Sequence, residues 1–316
     1  MNINNRIATV TLNPAIDQSV AINNFVAGEV NRVDWEQSHA GGKGVNVASF
    51  LADLGFSSAV TGFIGCDNAV IFERLFTHKN IADHFIRIEG KTRVNVKIID
   101  AEQHAITDIN FPGQAPSPQN VMDLKANIMA LSADYDWFVL SGSLQNGVPN
   151  SYYSDLLKCL KGLGKNVVLD TSDDALRLAV VEQPYAIKPN IEELETLLNL
   201  KLNNAEDVAK AAKKLVQQGI SNVVVSMGKQ GAIFADEHAC VLAVPPAIVV
   251  KSTVGAGDAM VAGFIAAKIK GYSLEHCARL STATAMGALT QLGPELADSQ
   301  VLAAYQQEIV ITRMMD

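Results

Sequence analysis

The chain has 316 residues and carries a formal net charge of -8. Hydrophobic residues make up 48% of the sequence and charged residues 18%, a balance that favours a large folded core and excludes extended disorder. The sequence contains no Lys/Arg-rich run, so it lacks the basic surface typical of nucleic-acid binding, and we expect no nucleic-acid partner.

The first residues, Met1–Arg6, lead directly into the strand-like run Ala8–Leu12 without the apolar region of a signal peptide. No later segment reaches the ~18 apolar residues of a membrane span. We therefore expect a cytoplasmic protein that does not associate with a membrane. The four cysteines lie far apart and without a histidine at metal-ligand spacing, which favours reduced structural thiols over a zinc site.

Two segments in the first third of the chain predict a small antiparallel sheet outside the main domain. Ser19–Ser38 and Thr92–Phe111 show strand-like alternation with no helix between their runs. In the second segment, Arg93, Asn95 and Lys97 recur with period two, which places them on one face of a strand. We expect a lid with one polar, cationic face.

Between these segments, Ala40–Ala48 forms a glycine-rich turn that opens a helix. It is not a Walker A loop, because Gly44 follows Lys43 where Ser or Thr should hold magnesium, and Val47 takes the last glycine position of G-x-G-x-x-G. Two interpretations remain: a turn that brings the backbone, Lys43 and Asn46 to a small polar ligand, or a plain loop-to-helix junction.

From about Asp134 onward, short β-branched runs alternate with amphipathic stretches, which predicts a parallel sheet covered by helices on both faces. The predicted strands are Trp137–Leu140, Asn166–Asp170, Ala186–Lys188 and Val223–Ser226. The predicted helices are Tyr152–Lys161, Ile191–Leu198, Ala205–Gln218, Asp258–Lys270 and Leu274–Leu289.

Polar residues after the second of these strands allow two interpretations. Asp170, Asp173 and Asp174 could approach a magnesium ion, or they could form a solvated turn with a helix cap. The six histidines show no spacing typical of a triad or a metal site, and we assign them no chemistry.

The most informative stretch is Ser252–Asp258, which precedes an apolar helix. Small residues let successive backbone N–H groups converge on an anion at a helix N-terminus, and Asp258 could accept a proton from a substrate hydroxyl. The alternative is that Asp258 only caps the helix and the glycines only form a turn.

Taken together, five motifs resemble the PfkB branch of the ribokinase-like sugar kinases in order and spacing over essentially the whole chain. The motifs are Asn13–Asp17, Gly41–Asn46, Lys188–Glu193, Ser226–Gly231 and Thr253–Asp258. The resemblance implies one α/β domain over residues 1–316, a three-layer αβα core of about nine strands, and a β-sheet lid inserted at about 19–38 and 92–111. It also implies a homodimer formed through the lid.

The same resemblance implies a role for individual residues. Asp258 would be the catalytic base, and the amides of Gly255, Ala256 and Gly257 the anion hole. ATP and Mg2+ would be the cofactors, with Asn190 and Glu193 positioning the metal indirectly, through water or phosphate. The nucleotide site would comprise Lys188, Asn190, Glu193, Ser226, Met227, Gly228, Lys229, Gln230, Gly231 and Thr253. The sugar-phosphate pocket would comprise Asp17, Gly41, Gly42, Lys43, Asn46, Arg93 and Ser143.

Within the family, the segments Gly28–Arg32, Thr92–Lys97 and Thr107–Asn110 are most similar to the 1-phosphofructokinases. The acceptor implied is D-fructose 1-phosphate, with its phosphate on Arg93 and on Lys43 or Lys97. Gln145 departs from the pattern, because relatives usually have proline there. The alternatives are a tagatose-6-phosphate kinase or 6-phosphofructokinase of the same family and, in another class, a sugar-phosphate sensor without catalysis.

Overall fold

The structure is a computed structural model that describes residues 6–103 and 105–315. The ends of the expected domain, residues 1–5 and 316, lie outside the described residues. No helix in the described part of the chain is long and apolar enough to cross a membrane.

Strands β1–β15 are Ile7–Thr11, Ala15–Ala21, Trp35–Gly41, Ser58–Gly65, Ala82–Asp83, Ile86–Ile88, Val94–Asp100, Ala105–Ile109, Trp137–Ser141, Asn166–Asp170, Ala186–Ile187, Asn222–Ser226, Ala232–Ala235, Cys240–Val244 and Val310–Met315. Helices α1–α10 are Lys43–Asp53, Val70–Lys79, Pro118–Leu131, Tyr152–Gly162, Asp173–Ala179, Ile191–Leu198, Ala205–Gln217, Ala256–Ile269, Leu274–Leu289 and Ser299–Glu308.

Eleven of these strands form one sheet in the order β15-β14-β13-β12-β11-β10-β9-β1-β4-β5, with β6 also paired to β4. Strands β12, β11, β10, β9, β1 and β4 run parallel, whereas β13, β14 and β15 extend the sheet in antiparallel fashion. From β1 the chain crosses to β4 on one side and later to β9 on the other. Such a reversal of strand order opens a crevice at the carboxyl ends of parallel strands, where ligands bind.

Both faces of the sheet are covered, because its strands carry apolar side chains on each side. Phe138 and Leu140 pack into the layer that contains α3–α7, while Trp137 and Val139 pack into the layer with α1, α8 and α9. The period of two along a strand explains this division. The three-layer αβα core and the parallel sheet predicted from the sequence are confirmed, although the sheet has eleven strands rather than about nine.

The predicted small sheet is also present, in the order β3-β2-β7-β8, but it is mixed rather than antiparallel, because β2 and β7 pair in parallel. Its strands begin and end differently from the expected lid segments: the first pair covers Ala15–Ala21 and Trp35–Gly41, and residues 22–34 form the connection between them. The lid therefore starts before Ser19 and continues to Gly41. Only Gly42 separates its strand β3 from helix α1.

Candidate active site

Functional side chains gather where the parallel strands end. Asn13, Ser143, Asp170 and Lys188 follow or terminate β1, β9, β10 and β11, whose carboxyl ends share one edge of the sheet. The lid faces this edge and encloses a cavity of about 500 Å3. A cavity of this size suits a small polar metabolite.

The cavity brings together ten of the residues predicted from the sequence: Asp17, Gly42, Lys43, Asn46, Arg93, Ser143, Glu193, Thr253, Gly255 and Asp258. Of the other predicted residues, Gly41 ends lid strand β3 beside Asp17. The rest end or follow strands of the main sheet or begin α8, outside the cavity lining: Lys188, Asn190, Ser226, Met227, Gly228, Lys229, Gln230, Gly231, Ala256 and Gly257.

Asp258 lies in the first turn of α8 and is only 6% exposed. The helix begins at Ala256, two residues earlier than predicted, with Gly255 as its N-cap in a left-handed conformation (φ 80°). The carboxylate does not cap the helix; its Oδ2 accepts a hydrogen bond of 2.8 Å from Asn46 Nδ2. The interpretation of Asp258 as a helix cap is therefore wrong.

The environment of Asp258 favours its protonated form more than water does. Burial, and next the charge of Asp170, raise its pKa to about 7, while Lys43, Lys188 and the hydrogen bond from Asn46 act in the opposite direction. A carboxylate with a pKa near the working pH is well suited to general base catalysis.

The glycine-rich turn before Asp258 presents the N-terminus of α8 to the cavity. The first N–H groups of a helix have no acceptor within it, and the helix dipole favours an anion at this point. A Cβ atom added at Gly255 would lie 3.2 Å from Phe50 Cζ, and one at Gly257 would lie 3.2 Å from Lys188 Nζ. The turn therefore leaves little room for side chains but brings an ammonium group close to its amides.

Asp170 is the centre of the charges around this turn. It is 1% exposed, so the solvated turn expected as one alternative is wrong for this residue. Its Oδ1 lies 2.9 Å from Lys43 Nζ and 3.3 Å from Lys188 Nζ. Although burial alone would raise the pKa of Asp170, the two lysines hold it below its ordinary value. Asp173 and Asp174 instead begin α5 at the surface.

On the nucleotide side, Asn190 and Glu193 form a capping box at the start of α6. Asn190 Oδ1 accepts from the Glu193 amide (2.8 Å), and Glu193 Oε2 accepts from the Asn190 amide (2.9 Å). A bridge between Asn190 and Ser226 connects this helix start to the turn 226–231. At Gly231 (φ 94°) an added Cβ would lie 2.0 Å from the Ala243 carbonyl oxygen, so only glycine fits.

The oxygen atoms in this region fit a hard divalent cation. Asp170 Oδ2 is buried and has no hydrogen-bond partner among the described residues, and Glu193 lines the cavity nearby. Mg2+ prefers carboxylate oxygens together with water and phosphate oxygens. Asp170 thus offers one unpartnered carboxylate oxygen in this region, in addition to the side-chain oxygens of Asn190 and Glu193.

Asp17 lies on lid strand β2 and lines the same cavity. Burial raises its pKa against the effect of a hydrogen bond from Asn95 Nδ2 (3.2 Å) and the charges of Arg93, Lys97 and His39. A Cβ at Gly41 would lie 2.2 Å from Asp17 Oδ2, so glycine at this position makes room for the carboxylate.

Arg93 connects the lid to the sheet edge through three backbone carbonyl oxygens. Its Nε, Nη2 and Nη1 donate to Pro14 (3.2 Å), Asn13 (2.9 Å) and Phe111 (3.0 Å). A guanidinium has five N–H donors, so two remain for a phosphate in the cavity. Lys97, four residues further along the same face, pairs with Asp108 at 3.0 Å.

Two contacts in the acceptor region were not predicted from the sequence. His39 lies directly across from Asp17 in the β2–β3 pairing and lines the cavity. Asn13 Nδ2 donates to Ser143 Oγ (3.0 Å) and so fixes a predicted pocket residue. The only sequence signal for either was proximity to a motif. Gln145, the departure from the family pattern, is buried behind this loop.

Comparisons with known proteins agree with this arrangement. Residues 10–300 match the pfkB family of carbohydrate kinases. A 1-phosphofructokinase of Rhodobacter capsulatus is 45% identical over 97% of both chains, and one of Vibrio cholerae is 39% identical over 98% of this chain and 97% of its own. The crystal structure of phosphofructokinase-2 from Escherichia coli in complex with substrates and products superimposes with a TM-score of 0.90 at 28% identity, covering 96% of this chain and 98% of that one.

Proposed function

Because the chain belongs to the pfkB family of carbohydrate kinases, we propose that it transfers the γ-phosphoryl group of ATP to the 6-hydroxyl of D-fructose 1-phosphate, which yields fructose 1,6-bisphosphate and ADP. The observation that carries the proposal is the buried carboxyl of Asp258 at the N-terminus of α8, in a cavity that is also lined by Lys43, Arg93 and Lys97. The relatives named 1-phosphofructokinase, similar over nearly their full length, support this acceptor.

In the proposed reaction, Asp258 takes the proton of the acceptor hydroxyl as the oxygen attacks the γ-phosphorus. The bond from that phosphorus to the bridging oxygen breaks, and ADP leaves with the electron pair. A pKa of about 7 keeps a large fraction of Asp258 in the carboxylate form at neutral pH. Such a base contributes a factor of ~10²–10⁴ to the rate.

The N–H groups of Gly255, Ala256 and Gly257 stabilise the charge on the transferred group, the usual source of most catalysis in phosphoryl transfer. Mg2+, when bound, would neutralise charge on the ATP phosphates, and Asn190 and Glu193 would position it through water and phosphate oxygens. The turn 226–231 and Thr253 lie where they can border the nucleotide.

For the acceptor, Asp17 and Asn95 supply hydrogen bonds to sugar hydroxyls, while Arg93 and Lys97 supply positive charge to its phosphate. The lid places these four side chains on one face, directed into the cavity. A closed lid also keeps water away from the γ-phosphoryl group and so limits hydrolysis of ATP.

We further propose that the protein forms a homodimer through the lid. Large apolar side chains on and beside the lid are exposed in the single chain, and contiguous exposed apolar surface marks interaction sites. These residues are Val26, Val30, Val33, Trp35, Ile106, Ile109 and Phe111. A second copy of this chain, with the same lid surface, would cover them.

The test of the proposed function is ADP release with Mg-ATP and, in parallel, fructose 1-phosphate, fructose 6-phosphate, tagatose 6-phosphate and free fructose. We expect kcat/KM to favour fructose 1-phosphate about a hundredfold, equivalent to about 2.7 kcal/mol in transition-state binding. Preference for another acceptor would keep the chemistry and change the substrate. Binding of a sugar phosphate in calorimetry without turnover of any acceptor would instead indicate a sensor.

A further inference from the structure

Besides Lys251, four cationic side chains lie in or beside the cavity, in two pairs next to different carboxylates. Lys43 and Lys188, here called the transfer pair, both contact Asp170 Oδ1. Arg93 and Lys97, here called the acceptor pair, lie on the lid face beside Asp17. The family resemblance alone groups Lys43 with the acceptor's phosphate, whereas in the structure its ammonium group contacts Asp170.

The position of Lys43 follows from helix α1. Lys43 and Asn46 are three residues apart, so their side chains leave the same face of the helix. Asn46 reaches Asp258 (2.8 Å) and Lys43 reaches Asp170 (2.9 Å). One turn of α1 therefore holds an amide on the candidate base and an ammonium group immediately beside it.

The charges of the transfer pair are only partly compensated. Both ammonium groups share one oxygen of Asp170, so at this carboxylate two positive charges face one negative charge, and Asp258 and Glu193 add negative charge near Lys43. Lys188 Nζ also lies against the first turn of α8, as the distance of 3.2 Å from a Cβ at Gly257 shows. A phosphoryl group on the α8 amides would lie within reach of this positive charge and would neutralise it.

The electrostatics of Lys43 agree with this placement. Burial would lower its pKa, but the carboxylates of Asp170, Asp258 and Glu193 raise it above the ordinary value. Lys43 thus stays an ammonium group at every pH at which the enzyme would work. It lies near Asp258, the candidate base, near Asp170, and near Glu193, which is expected to position the metal.

We propose that Lys43 is a catalytic residue whose ammonium group contacts the phosphoryl group during transfer. Asp170 is the positioning residue that holds this ammonium group in place. The acceptor pair alone binds the phosphate of the acceptor. The inference rests on the proposed function and assigns within it which cation serves which phosphate.

The test compares Lys43→Met, Lys43→Arg and Asp170→Asn with Lys97→Met as the matched control from the acceptor pair. We expect Lys43→Met to lower kcat about 100-fold or more, as loss of one transition-state donor does, with the acceptor KM within about threefold. Lys43→Arg should recover part of the loss. Lys97→Met should raise the acceptor KM about tenfold and leave kcat within about threefold.

Two further readouts separate this role from a structural one. The charged groups around Asp258 are Asp170, Lys43 and Lys188. Removing Lys43 should therefore raise the pKa seen in the pH dependence of kcat, and Asp170→Asn should lower it. Aluminium fluoride mimics the phosphoryl group during transfer. In the presence of acceptor it should tighten MgADP binding to the wild type but not to Lys43→Met. MgADP alone should bind equally well to both proteins.

A Lys43→Met enzyme with normal kcat and a raised acceptor KM would overturn the inference and leave the proposed function intact, because it would place Lys43 on the acceptor's phosphate. Unchanged pH limbs in Lys43→Met and Asp170→Asn would also overturn it. A wild-type protein without turnover of any acceptor would overturn both the proposed function and the inference. Lys43→Arg and the urea midpoint of each variant show whether a loss of activity is merely a loss of folding.

Discussion

The burial of Asp258 makes a prediction about stability that does not depend on the substrate. In the folded protein the pKa of this carboxyl is about 7, against an ordinary value of 3.8, because burial and Asp170 disfavour its charge. The folded state therefore holds a proton that the unfolded state has released between about pH 4 and pH 7. The contribution of Asp258 to the free energy of unfolding is therefore greatest at low pH, and it is lost as the pH rises through this window.

Asp258→Asn removes this pH-dependent loss, since a neutral amide does not ionise. Each pH unit inside the window is equivalent to about 1.4 kcal/mol. Between pH 5 and pH 8, the free energy of unfolding of the variant should therefore rise by about 2–3 kcal/mol relative to the wild type. Turnover at pH 8, where most of Asp258 is ionised in the wild type, should fall about 100-fold or more, because the base is absent.

Urea unfolding of both proteins at pH 5, 6, 7 and 8 measures this difference, provided that the m-values agree. Asp134→Asn, at an exposed position, is the matched control for a general effect of replacing aspartate by asparagine. A difference in unfolding free energy that stays constant from pH 5 to pH 8 would show that Asp258 is ionised throughout. It would refute the argument that burial sets its protonation.

Two further predictions concern the lid. Arg93→Lys should raise the KM for the phosphorylated acceptor at least about tenfold and change the kinetics with free fructose much less. The reason is that a lysine cannot bind three backbone carbonyls and a phosphate at the same time. Equal losses with both acceptors would argue against a phosphate contact. Trp35→Asp should shift the protein from dimer to monomer in sedimentation velocity, whereas Met122→Asp, at an exposed position on α3, should not. A wild-type monomer would contradict the dimer proposal.

The core was largely predictable because local patterns and burial agree there. Ile191–Leu198, Leu274–Leu289 and Asn166–Asp170 are predicted with their observed bounds, since apolar periodicity and end signals coincide. The short strands β5 and β6, of two and three residues, have no such pattern and depend on pairing with β4. The start of α8 was displaced because Ala256-Gly257 has weak helix signals, while Asp258 has the composition of a cap.

The site was predictable where a motif carries it and not where long-range contacts create it. The residues 170–174 resemble a solvated turn, and only two lysines, from α1 and from the end of β11, make Asp170 a buried charge centre. Likewise, His39 faces Asp17 only because of the β2–β3 register, which the sequence does not specify.

The junction between lid and core limits how this protein can change. Strand β3 ends at Gly41 and α1 begins at Lys43, and the residue between them, Gly42, has φ 116° with Pro14 Cα only 2.9 Å from an added Cβ. One inserted residue here would rotate α1 by about 100° and carry Lys43 and Asn46 away from their carboxylates. Divergence in lid length is therefore expected in the connection 22–34, where the chain is largely exposed, and not at the junction. The lid and the helix that serves the chemistry must be inherited as one unit.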